Sequence, residues 1–410
     1  MPVKEGWGQA VAILILLILF SGCLGAGQSG DSPDSGADAF SYRTVVDSRG
    51  VAVRVPAEIN RVVTVSDGLV EGAMVAFGVE ETLIGLGSSC IQSDWTYSYP
   101  LDDGGQIDGS GGCNILQVLT PRIKTLPLVM ESGTAMNYET LSSLDPDVVI
   151  IRLGCCSLQS KDDEMTQKTI SVIESLGIPL IVLYSPNCYG QPDLHMISDE
   201  IAILGQVFER EKEAKKLADY LDSQVALVEE RTRDIPKPEH PTVLIFGLSP
   251  MHRAEGAAGT AHGLKTTESY MIEEIVHAKN AFRSNTGNFQ ILNTEMVLTL
   301  DPDVIVLCTA WGYHPPGELY DATYYENLRE LSAVKNRRVM SLPWTPCNCA
   351  KRLEYPIDVM VIAKVAYPER FDDIDLAEWL LDFYKNVYGV DDDTAKAIRS
   401  AQWMDWCVEA

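Results

Sequence analysis

The sequence has few basic residues and few histidines, and each shortage argues against a class of function. Its 410 residues include 32 Lys and Arg against 58 Asp and Glu, which gives a formal net charge of −26. Nucleic acids and anionic membrane surfaces are bound by clustered Lys and Arg, so the charge argues against both partners. The six histidines are nowhere paired at ligand spacing, and no Cys-x-x-Cys occurs, so the common zinc motifs are absent.

Motifs for phosphate binding and nucleophilic catalysis are also missing. Neither Gly-x-x-x-x-Gly-Lys nor Gly-x-Ser-x-Gly occurs. The pair Gly259 and Gly263 lacks the phosphate-loop lysine, and Gly85-x-Gly87 has Cys90 where a dinucleotide fingerprint has its third glycine. We therefore expect a protein that is not an enzyme and has no intrinsic cofactor.

The N-terminus has the features of a targeting signal. An apolar run from Val11 to Phe20 is followed by Ser21-Gly22-Cys23. The run is shorter than the roughly 20 apolar residues that a membrane-spanning helix needs, and it fits a secretory signal peptide. Small residues directly before a cysteine resemble the lipobox of prokaryotic lipoproteins, in which Cys23 would carry the lipid. An ordinary secretory signal with a chance cysteine is the alternative.

Two segments of the chain are near-copies at a constant offset. Residues 137–151 read Asn-Tyr-Glu-Thr-Leu-Ser-Ser-Leu-Asp-Pro-Asp-Val-Val-Ile-Ile, and residues 293–307 read Asn-Thr-Glu-Met-Val-Leu-Thr-Leu-Asp-Pro-Asp-Val-Ile-Val-Leu. Each copy predicts a short helix, a turn at the proline and a strand buried on both faces. The repeat predicts an α/β fold of two similar lobes with parallel-rich sheets and a ligand cleft between them.

Apolar residues at helical spacing run from about Ser198 to Arg231. No proline interrupts the segment before Pro236, and Gly205 is its only glycine. This pattern predicts one long rigid helix, roughly 50 Å at about 1.5 Å per residue, that joins the lobes.

Composition and pattern together predict five segments. The second of them is a Gly/Ser/Asp stretch that cannot bury a core and suits a flexible tether. The segments are a signal peptide (1–22), a lipidated spacer (23–40), an N-terminal α/β lobe (41–192), an inter-lobe helix (193–235) and a C-terminal α/β lobe with terminal helices (236–410).

With these features in place, the chain resembles the substrate-binding lipoproteins of ABC importers for iron–siderophore, haem or cobalamin complexes. The resemblance covers essentially all of residues 42–390. It depends on the order of the Asp47-to-Pro56 opening, both Leu-Asp-Pro-Asp segments, the long helix and the ending at residues 363–371. It implies two lobes that hold a ligand between them with modest closure and deliver it to an ABC permease dimer with its ATPase subunits.

The same resemblance assigns roles outside the cleft. It implies that one glutamate of each lobe, here Glu139 and Glu295, docks into arginine pockets of the permease. The alternative is that each glutamate only stabilises the first turn of a helix through the helix dipole. We further expect a monomer outside the cytoplasm, held at the outer face of the membrane by the lipid on Cys23 alone.

Ten cysteines are present, and most of them follow predicted strands. Besides Cys23, we interpret Cys308 and Cys407 as buried packing residues. The other seven are expected near the carboxyl ends of strands, where α/β sheets bind ligands. These seven are Cys90, Cys113, Cys155, Cys156, Cys188, Cys347 and Cys349.

These cysteines have two interpretations. One is disulfides, as in other exported proteins, with Cys90–Cys113 as a loop staple and the adjacent Cys155 and Cys156 too close to pair with each other. The other is a thiolate-lined site for a soft metal or metal complex. Its ligands would be Cys155, Cys156, Cys188, Cys347 and Cys349. That second interpretation leaves a thiol-ligated metal-binding, chelatase-like or redox protein on the same fold as the alternative function.

Aromatic and cationic residues also follow predicted strands and suit a flat, partly anionic chelate or macrocycle. For Trp344, ordinary packing is an equal alternative. The sequence thus predicts an extracytoplasmic receptor that captures a metal chelate (an iron complex, haem or a corrinoid) for an ABC permease. The additional cleft candidates are Trp95, Met251, His252, Arg253, Trp311, Tyr313, Trp344 and Arg352.

Overall fold

The computed structural model describes residues 41–131, 134–309, 312–346 and 350–408. The predicted signal, the spacer, Cys23, Trp311, Cys347 and Cys349 lie outside these ranges, so the predictions about them stay predictions. Across the described ranges, no helix combines the length and the apolar character needed to cross a membrane.

The described residues form fourteen strands, numbered along the chain. They are β1 (Tyr42–Val46), β2 (Ala52–Pro56), β3 (Val62–Val65), β4 (Leu83–Leu86), β5 (Asp94–Pro100), β6 (Gln106–Cys113), β7 (Val148–Leu153), β8 (Leu180–Tyr184), β9 (Thr242–Gly247), β10 (Gly259–His262), β11 (Lys279–Asn280), β12 (Phe289–Leu292), β13 (Val304–Leu307) and β14 (Val339–Ser341).

The same residues form fourteen α-helices, several of them a single turn long. They are α1 (Leu69–Phe77), α2 (Leu116–Leu119), α3 (Tyr138–Ser143), α4 (Glu164–Ser175), α5 (Met196–Phe208), α6 (Glu211–Thr232), α7 (Pro250–Ala254), α8 (Thr267–Tyr270), α9 (Thr294–Leu300), α10 (Pro316–Asp321), α11 (Ser332–Lys335), α12 (Tyr355–Ala366), α13 (Leu376–Tyr388) and α14 (Asp392–Ala401).

Two sheets carry the fold. The N-terminal lobe has a four-stranded sheet in the order β4-β3-β7-β8, and all of its pairs are parallel. The C-terminal lobe has a mixed sheet in the order β12-β10-β9-β13-β14, with β11 also beside β9. The pairs of β9 with β11, β9 with β13 and β13 with β14 are parallel, whereas β10 pairs antiparallel with both β9 and β12. The predicted α/β class with two parallel-rich lobes is confirmed.

The predicted single inter-lobe helix is wrong. The segment forms two antiparallel helices, α5 and α6, which separate where Glu209 takes a left-handed φ of 54°. Ser198 donates to Asp222 at 3.2 Å across the pair, and a Cβ on Gly205 would lie 2.5 Å from that of Ala214. Glu209 and Arg210 separate the two helices, and neither Gly nor Pro marks the break. Because the apolar residues keep helical spacing on both sides of it, the sequence pattern is that of one helix.

Helix α6 by itself joins the lobes. Its 22 residues span about 33 Å. It packs against α1 of the N-terminal lobe and α12 of the C-terminal lobe. One hydrophobic core accordingly runs through both lobes, with Met74, Leu221, Met360 and Phe383 among its buried members.

The segment between Ser88 and Gly112 is rich in Gly, Asp and Ser, a composition typical of a long loop, but most of it is a β-hairpin made of β5 and β6. Trp95, Tyr97 and Tyr99 alternate along β5, which is the period of a strand and not of a loop. Tyr99 is 5% exposed and belongs to the hydrophobic cluster of the C-terminal lobe. The hairpin therefore starts in one lobe and packs on the other.

Candidate functional site

Buried charged side chains collect where the segment after β14 meets the carboxyl ends of the N-terminal lobe's strands. All but one are at most 5% exposed, and the side chain of Glu268 is 12% exposed. Burying so many charges is unfavourable unless they are paired, which marks the region as specialised. We call it the interlobe cluster, and its members are Asp67, Glu71, Arg152, Glu200, Glu268, Lys351, Arg352, Glu354 and Asp358.

Arg152, at the end of β7, is the fixed cation of the N-terminal lobe. It is fully buried and forms a two-pronged pair with Glu200 of α5, with Nε to Oε2 at 2.6 Å and Nη2 to Oε1 at 2.7 Å. Its Nη1 donates to the backbone oxygen of Lys351 at 2.8 Å. This bond crosses from one lobe to the other.

Arg352 brings a second cation to the same place from the C-terminal lobe. Its guanidinium lies against Gly68, where a Cβ would be 3.1 Å from Nε and where φ is 120°. Glycine serves both needs there, since it tolerates positive φ and leaves room for the arginine. Nη2 donates to the oxygen of Pro346, whereas Nε has no hydrogen-bond partner among the described residues.

Asp67 is the carboxyl group that faces Arg352. Its Oδ2 accepts a hydrogen bond from the backbone N–H of Cys156 at 2.6 Å. Its Oδ1 makes no hydrogen bond within the described ranges, although the Ser88 hydroxyl lies near it. Burial raises the pKa of Asp67, and the Cys156 N–H and Arg352 only partly oppose that shift. The strand ends thus present an arginine beside a carboxyl group with an unused oxygen.

Alternating charges continue from Lys351 into the C-terminal lobe. Its Nζ lies 2.9 Å from Asp358 and 3.2 Å from Glu268, and the other oxygen of Glu268 lies 3.2 Å from Nδ1 of His262. Burial opposes charge on both lysine and glutamate. Even so, the two carboxylates raise the pKa of Lys351, and His262 with Lys351 brings the pKa of Glu268 well below its ordinary value.

The cysteines do not pair as predicted. Cys90 and Cys156 each take part in a disulfide, and Cys113 is a free, buried thiol. The predicted Cys90–Cys113 staple is therefore wrong. The reason is the hairpin, because the β5–β6 ladder holds Cys113 opposite Asp94 where the sequence suggested a loose loop.

The described members of the predicted thiolate set do not form a metal site by themselves. Burial raises the pKa of Cys155 and of Cys188, so both are neutral thiols, and the disulfide of Cys156 removes its thiolate. In the described part of the chain, no three His, Cys, Asp or Glu side chains converge to hold a metal ion. Any contribution of Cys347 and Cys349 lies outside the described residues.

The predicted aromatic candidates Trp95, Tyr313 and Trp344 do come together. With Tyr97 and Trp403 they form what we call the aromatic cluster. The ring centroids of Trp95 and Trp344 are 5.2 Å apart, those of Tyr97 and Tyr313 are 5.3 Å apart, and those of Tyr97 and Trp403 are 4.9 Å apart. Trp403 follows α14 and was not predicted, since only the completed fold brings it here.

The aromatic cluster packs the hairpin onto the C-terminal lobe. Tyr313 and Trp344 are each 3% exposed, and Trp403 donates from Nε1 to the backbone oxygen of Ser110 at 3.1 Å. At the hairpin tip, Arg329 pairs with Asp102. Trp344 contacts the rings of Trp95 and Trp403 and is almost fully buried. Ordinary packing, the alternative given for Trp344, therefore fits its surroundings.

Three other cleft candidates, Met251, His252 and Arg253, lie in α7 of the C-terminal lobe. Met251 is 50% exposed and His252 is buried. Arg253 lies 3.6 Å from Glu318 and 4.1 Å from the ring centre of Tyr324, so its charge is used within the C-terminal lobe. We assign these side chains no direct part in the interlobe cluster.

The two predicted docking glutamates occupy matching positions. Glu139 of α3 and Glu295 of α9 are both exposed in the first turn of a helix, behind the capping residues Asn137 and Asn293. Within the described ranges, neither carboxylate belongs to an ion pair. Both are therefore available to an outside partner.

The space beside Arg352 is closed. A crevice lined by Thr345, Arg352, Glu354, Tyr355 and Asp358 has no interior volume open to a water molecule. A ligand that reached the arginine would have to separate these side chains.

Sequence reasoning missed most of the interlobe cluster. Arg152 had a usable signal, because it is a lone charge in an otherwise apolar strand, and burying it requires a partner. Glu200 likewise sits among the apolar positions of α5. Nothing local identified Asp67 or Glu71, which are brought into the cluster by the fold.

Comparison with known proteins identifies the class. The model of a periplasmic binding protein family matches residues 121–345, more than half of the chain, and the chain belongs to that family. It is therefore a substrate-binding component of an ABC transporter that works outside the cytoplasm, and it is not an enzyme.

Two curated relatives match nearly end to end. The molybdate-binding protein MolA of Haemophilus influenzae is 21% identical over 370 residues, covering 85% of this chain and 92% of that protein. The ABC transporter substrate-binding lipoprotein YvrC of Bacillus subtilis is 22% identical over 378 residues, covering 90% and 99%.

Solved structures agree on the fold. A periplasmic solute binding protein from Veillonella parvula superposes with a TM-score of 0.68 at 21% identity, covering 90% of this chain and 99% of that one. Haemophilus influenzae MolA bound to molybdate gives 0.63 at 18% identity, covering 85% and 98%. At these identities the likeness shows the fold alone.

Proposed function

We propose that this protein captures an anionic metal chelate (an iron complex, haem or a corrinoid) between its lobes and delivers it to an ABC permease. The observation that carries the proposal is Arg352. The C-terminal lobe places this cation, 3% exposed, against the strand ends of the N-terminal lobe beside Asp67. A cation held where two lobes meet is suited to a ligand that both lobes must grip.

The chemistry around Arg352 fits carboxylate-bearing chelates. Arg152 and Lys351 lie in the same cluster, and arginine pairs with carboxylates in a two-pronged geometry. Trp344 of the aromatic cluster precedes Arg352 by eight residues, and a ring of this kind can stack on a macrocycle once the lobes part. Cations beside rings are the combination that a partly anionic flat ligand needs.

Binding in this proposal requires the lobes to part across several contacts. The Arg152–Lys351 and Trp403–Ser110 hydrogen bonds, the Arg329–Asp102 pair and the ring packing of Trp95 on Trp344 cross between lobes, and α6 stays intact as the connecting element. Opening would expose Arg352 and the unused oxygen of Asp67. Closure over the ligand would restore the crossing contacts.

A compact oxyanion such as molybdate is the second candidate. The close packing around Arg352 favours it, because the crevice there admits no water and a small anion needs the least rearrangement. The relative MolA is named for molybdate. Elemental composition and ligand size separate the two candidates.

The first test is an absorption spectrum and elemental analysis of protein purified anaerobically from its native membrane, followed by titration with haem, cobalamin, a ferric siderophore and molybdate. Quenching of Trp95, Trp344 and Trp403 fluorescence reports binding. A chelate bound at one per chain supports the first candidate, and molybdate alone supports the second. No binding by any of them contradicts the proposal.

Variants of Arg352 connect the ligand to the site. Arg352→Gln should weaken binding about 10-fold or more, since it removes a desolvated charge from the ligand's path. Arg231→Gln is the matched control, because Arg231 pairs with Asp373 at the surface away from the cluster. Equal affinity of both variants would show that Arg352 does not contact the ligand.

We also propose that Glu139 and Glu295 dock the two lobes onto the permease. Glu139→Ala and Glu295→Ala should leave ligand affinity unchanged and reduce the ATPase activity that the loaded receptor stimulates in permease vesicles, each roughly 10-fold. Glu164→Ala is the control, because Glu164 is also exposed in the first turn of a helix. A similar loss in Glu164→Ala would mean that the effect comes from helix stability and not from docking onto the permease.

The lipid on Cys23 is proposed as the anchor at the outer face of the membrane. Cys23→Ala should move the protein from the membrane fraction to the soluble extracytoplasmic fraction without changing ligand affinity. Retention of the variant in membranes would contradict lipid anchoring.

A further inference from the structure

A cysteine, a histidine and a carboxylate form a relay in the C-terminal lobe, and the carboxylate, Glu268, also belongs to the interlobe cluster. Cys308 follows β13, His262 ends β10 and Glu268 lies in α8. The Cys308 Sγ is 3.7 Å from Nε2 of His262, and the Nδ1 of His262 is 3.2 Å from Oε2 of Glu268. The expectation that Cys308 is a buried packing residue holds in part, since it packs against the hydrophobic core but is only partly buried, and its sulfur also faces an imidazole.

The sheet explains why these residues meet. Strand β9 lies between β10 and β13, and the backbone N–H of Cys308 donates to Phe246 of β9 at 3.1 Å. Leu307 and Ala261 pack into the cluster on one face of the sheet. Side chains alternate along strands, so Cys308 and His262 emerge together on the other face.

The charges around His262 favour an imidazolium. Burial alone lowers the pKa of His262, but the Glu268 carboxylate and the Cys308 sulfur outweigh it and raise the pKa to about 10. Behind Glu268 lies Lys351, which together with His262 holds that carboxylate ionised and which also pairs with Asp358. The imidazolium can then donate one N–H to the carboxylate and direct the other at the sulfur.

The other described free thiols lack this arrangement. Burial raises the pKa of Cys113, Cys155, Cys188 and Cys407, and none of these is shown with an imidazole partner. A nucleophile, a base within reach and a third group that orients the base form the general arrangement of an activated thiol.

We propose that Cys308 is a modification site, at which its sulfur, activated by His262 and Glu268, reacts with small disulfides. The Cys308 thiolate attacks one sulfur of the disulfide RS–SR, the S–S bond breaks, and a Cys308–S–S–R bond forms. The released thiolate RS⁻ takes the proton that His262 carried. One S–S bond replaces another, so no further oxidant is needed.

The test compares thiols within one protein. The full-length protein is incubated with oxidised glutathione or cystamine between pH 6 and 9, quenched with an alkylating agent and mapped by peptide mass spectrometry. An ordinary thiol is only a few per cent thiolate near pH 7. We expect Cys308 to react about 10-fold faster there than Cys188 or Cys407, because only Cys308 has an imidazole beside its sulfur.

Variants check the relay. His262→Gln should lower the Cys308 rate about 10-fold at pH 7 while the rates of Cys188 and Cys407 stay unchanged, and Cys308→Ser should abolish the adduct. The ratio of the Cys308 rate to the Cys188 rate in the original protein keeps the test decisive even where His262→Gln folds poorly. A Cys308 rate no higher than that of Cys188 would overturn the proposal.

Discussion

The two copies of the helix–turn–strand segment, α3 with β7 and α9 with β13, begin alike. Asn137 and Asn293 each cap their helix by accepting a hydrogen bond from the N–H three residues later. Asp145 and Asp301 each take a left-handed conformation, with φ of 42° and 34°. The Asp-Pro-Asp turn is therefore built the same way in both lobes.

The second aspartate of each turn also does the same work. Asp147 accepts hydrogen bonds from the N–H groups of Asn60 and Arg61 at 2.7 and 2.9 Å, just before β3. Asp303 accepts from the N–H and the hydroxyl of Thr242 at 2.8 and 2.7 Å, at the start of β9. Each carboxylate ties its own strand to the start of the neighbouring strand.

The copies differ at the other end of the strand. At the offset that aligns the two Asp-Pro-Asp turns, Arg152 corresponds to Cys308. Arg152 is fully buried and paired with Glu200, whereas Cys308 is partly exposed beside His262. The two copies therefore share the helix cap and the Asp-Pro-Asp turn, and they differ at the carboxyl end of the strand, where α/β sheets bind their ligands.

The surroundings of the two docking candidates differ as well. Met296 and Leu298 beside Glu295 are 44% and 37% exposed. The residues around Glu139 in α3 are polar, namely Thr140, Ser142 and Ser143. The lobes would therefore present the same carboxylate on surfaces of different polarity.

The largest expected effect is on stability, and it compares substitution of Arg152 with substitution of Cys308 at the matching position. Arg152→Met should lower the free energy of unfolding by about 3–5 kcal/mol, because it leaves Glu200 buried without its partner. Cys308→Ala at the matching position should lower it by about 1 kcal/mol, since it removes only one small, partly buried sulfur. Denaturant unfolding monitored by circular dichroism measures both.

A double variant controls that experiment. Arg152→Met combined with Glu200→Leu should regain most of the loss, because no charge is then left buried alone. If Arg152→Met by itself changed stability by less than about 1 kcal/mol, the pair would not be the buried ion pair described above.

A smaller effect contrasts a buried glutamate of each lobe across pH. Burial raises the pKa of Glu71, so its protonated form stabilises the fold at low pH, and that stability is lost as pH rises through the raised value. Glu71→Gln should therefore become progressively more stable than the original protein from pH 5 to 8, by about 1 kcal/mol at the upper end.

Glu268 should behave in the opposite way. Although burial alone would raise its pKa, His262 and Lys351 lower it, so its charged form stabilises the fold above the ordinary carboxyl range and that stability is lost only in acid. Glu268→Gln should cost about 3 kcal/mol at pH 7 and less below pH ~4. Thermal unfolding of both variants across pH checks the contrast, and parallel pH profiles would contradict it.

The smallest effect concerns the shared end of the repeat. Asp147→Ala and Asp303→Ala should each lower stability by about 1 kcal/mol, because each removes hydrogen bonds at a solvent-exposed strand start. The two losses should agree within about 0.5 kcal/mol when measured by denaturant unfolding. A large difference would show that the turns are alike in geometry but not in energy.

The sequence alone determined the two-lobe α/β plan and the repeated turn with its strands, and it named Trp95, Tyr313 and Trp344 as candidates for one cleft. These features are carried by local periods, by proline and asparagine at set positions, and by the rule that strand ends gather at one edge. The same local signal failed at Glu209, where an antiparallel helix pair kept the periodicity of one helix, and in the alternating aromatics of β5.

Tertiary structure decided which charges and sulfurs meet. Glu200 pairs with Arg152, His262 faces Cys308, and Arg352 reaches Gly68 from the other lobe. Each pair is far apart in sequence, and no local preference encodes the distance between its members. They meet because folding buries the charges together, and a buried charge is stable only beside a partner that the chain path supplies.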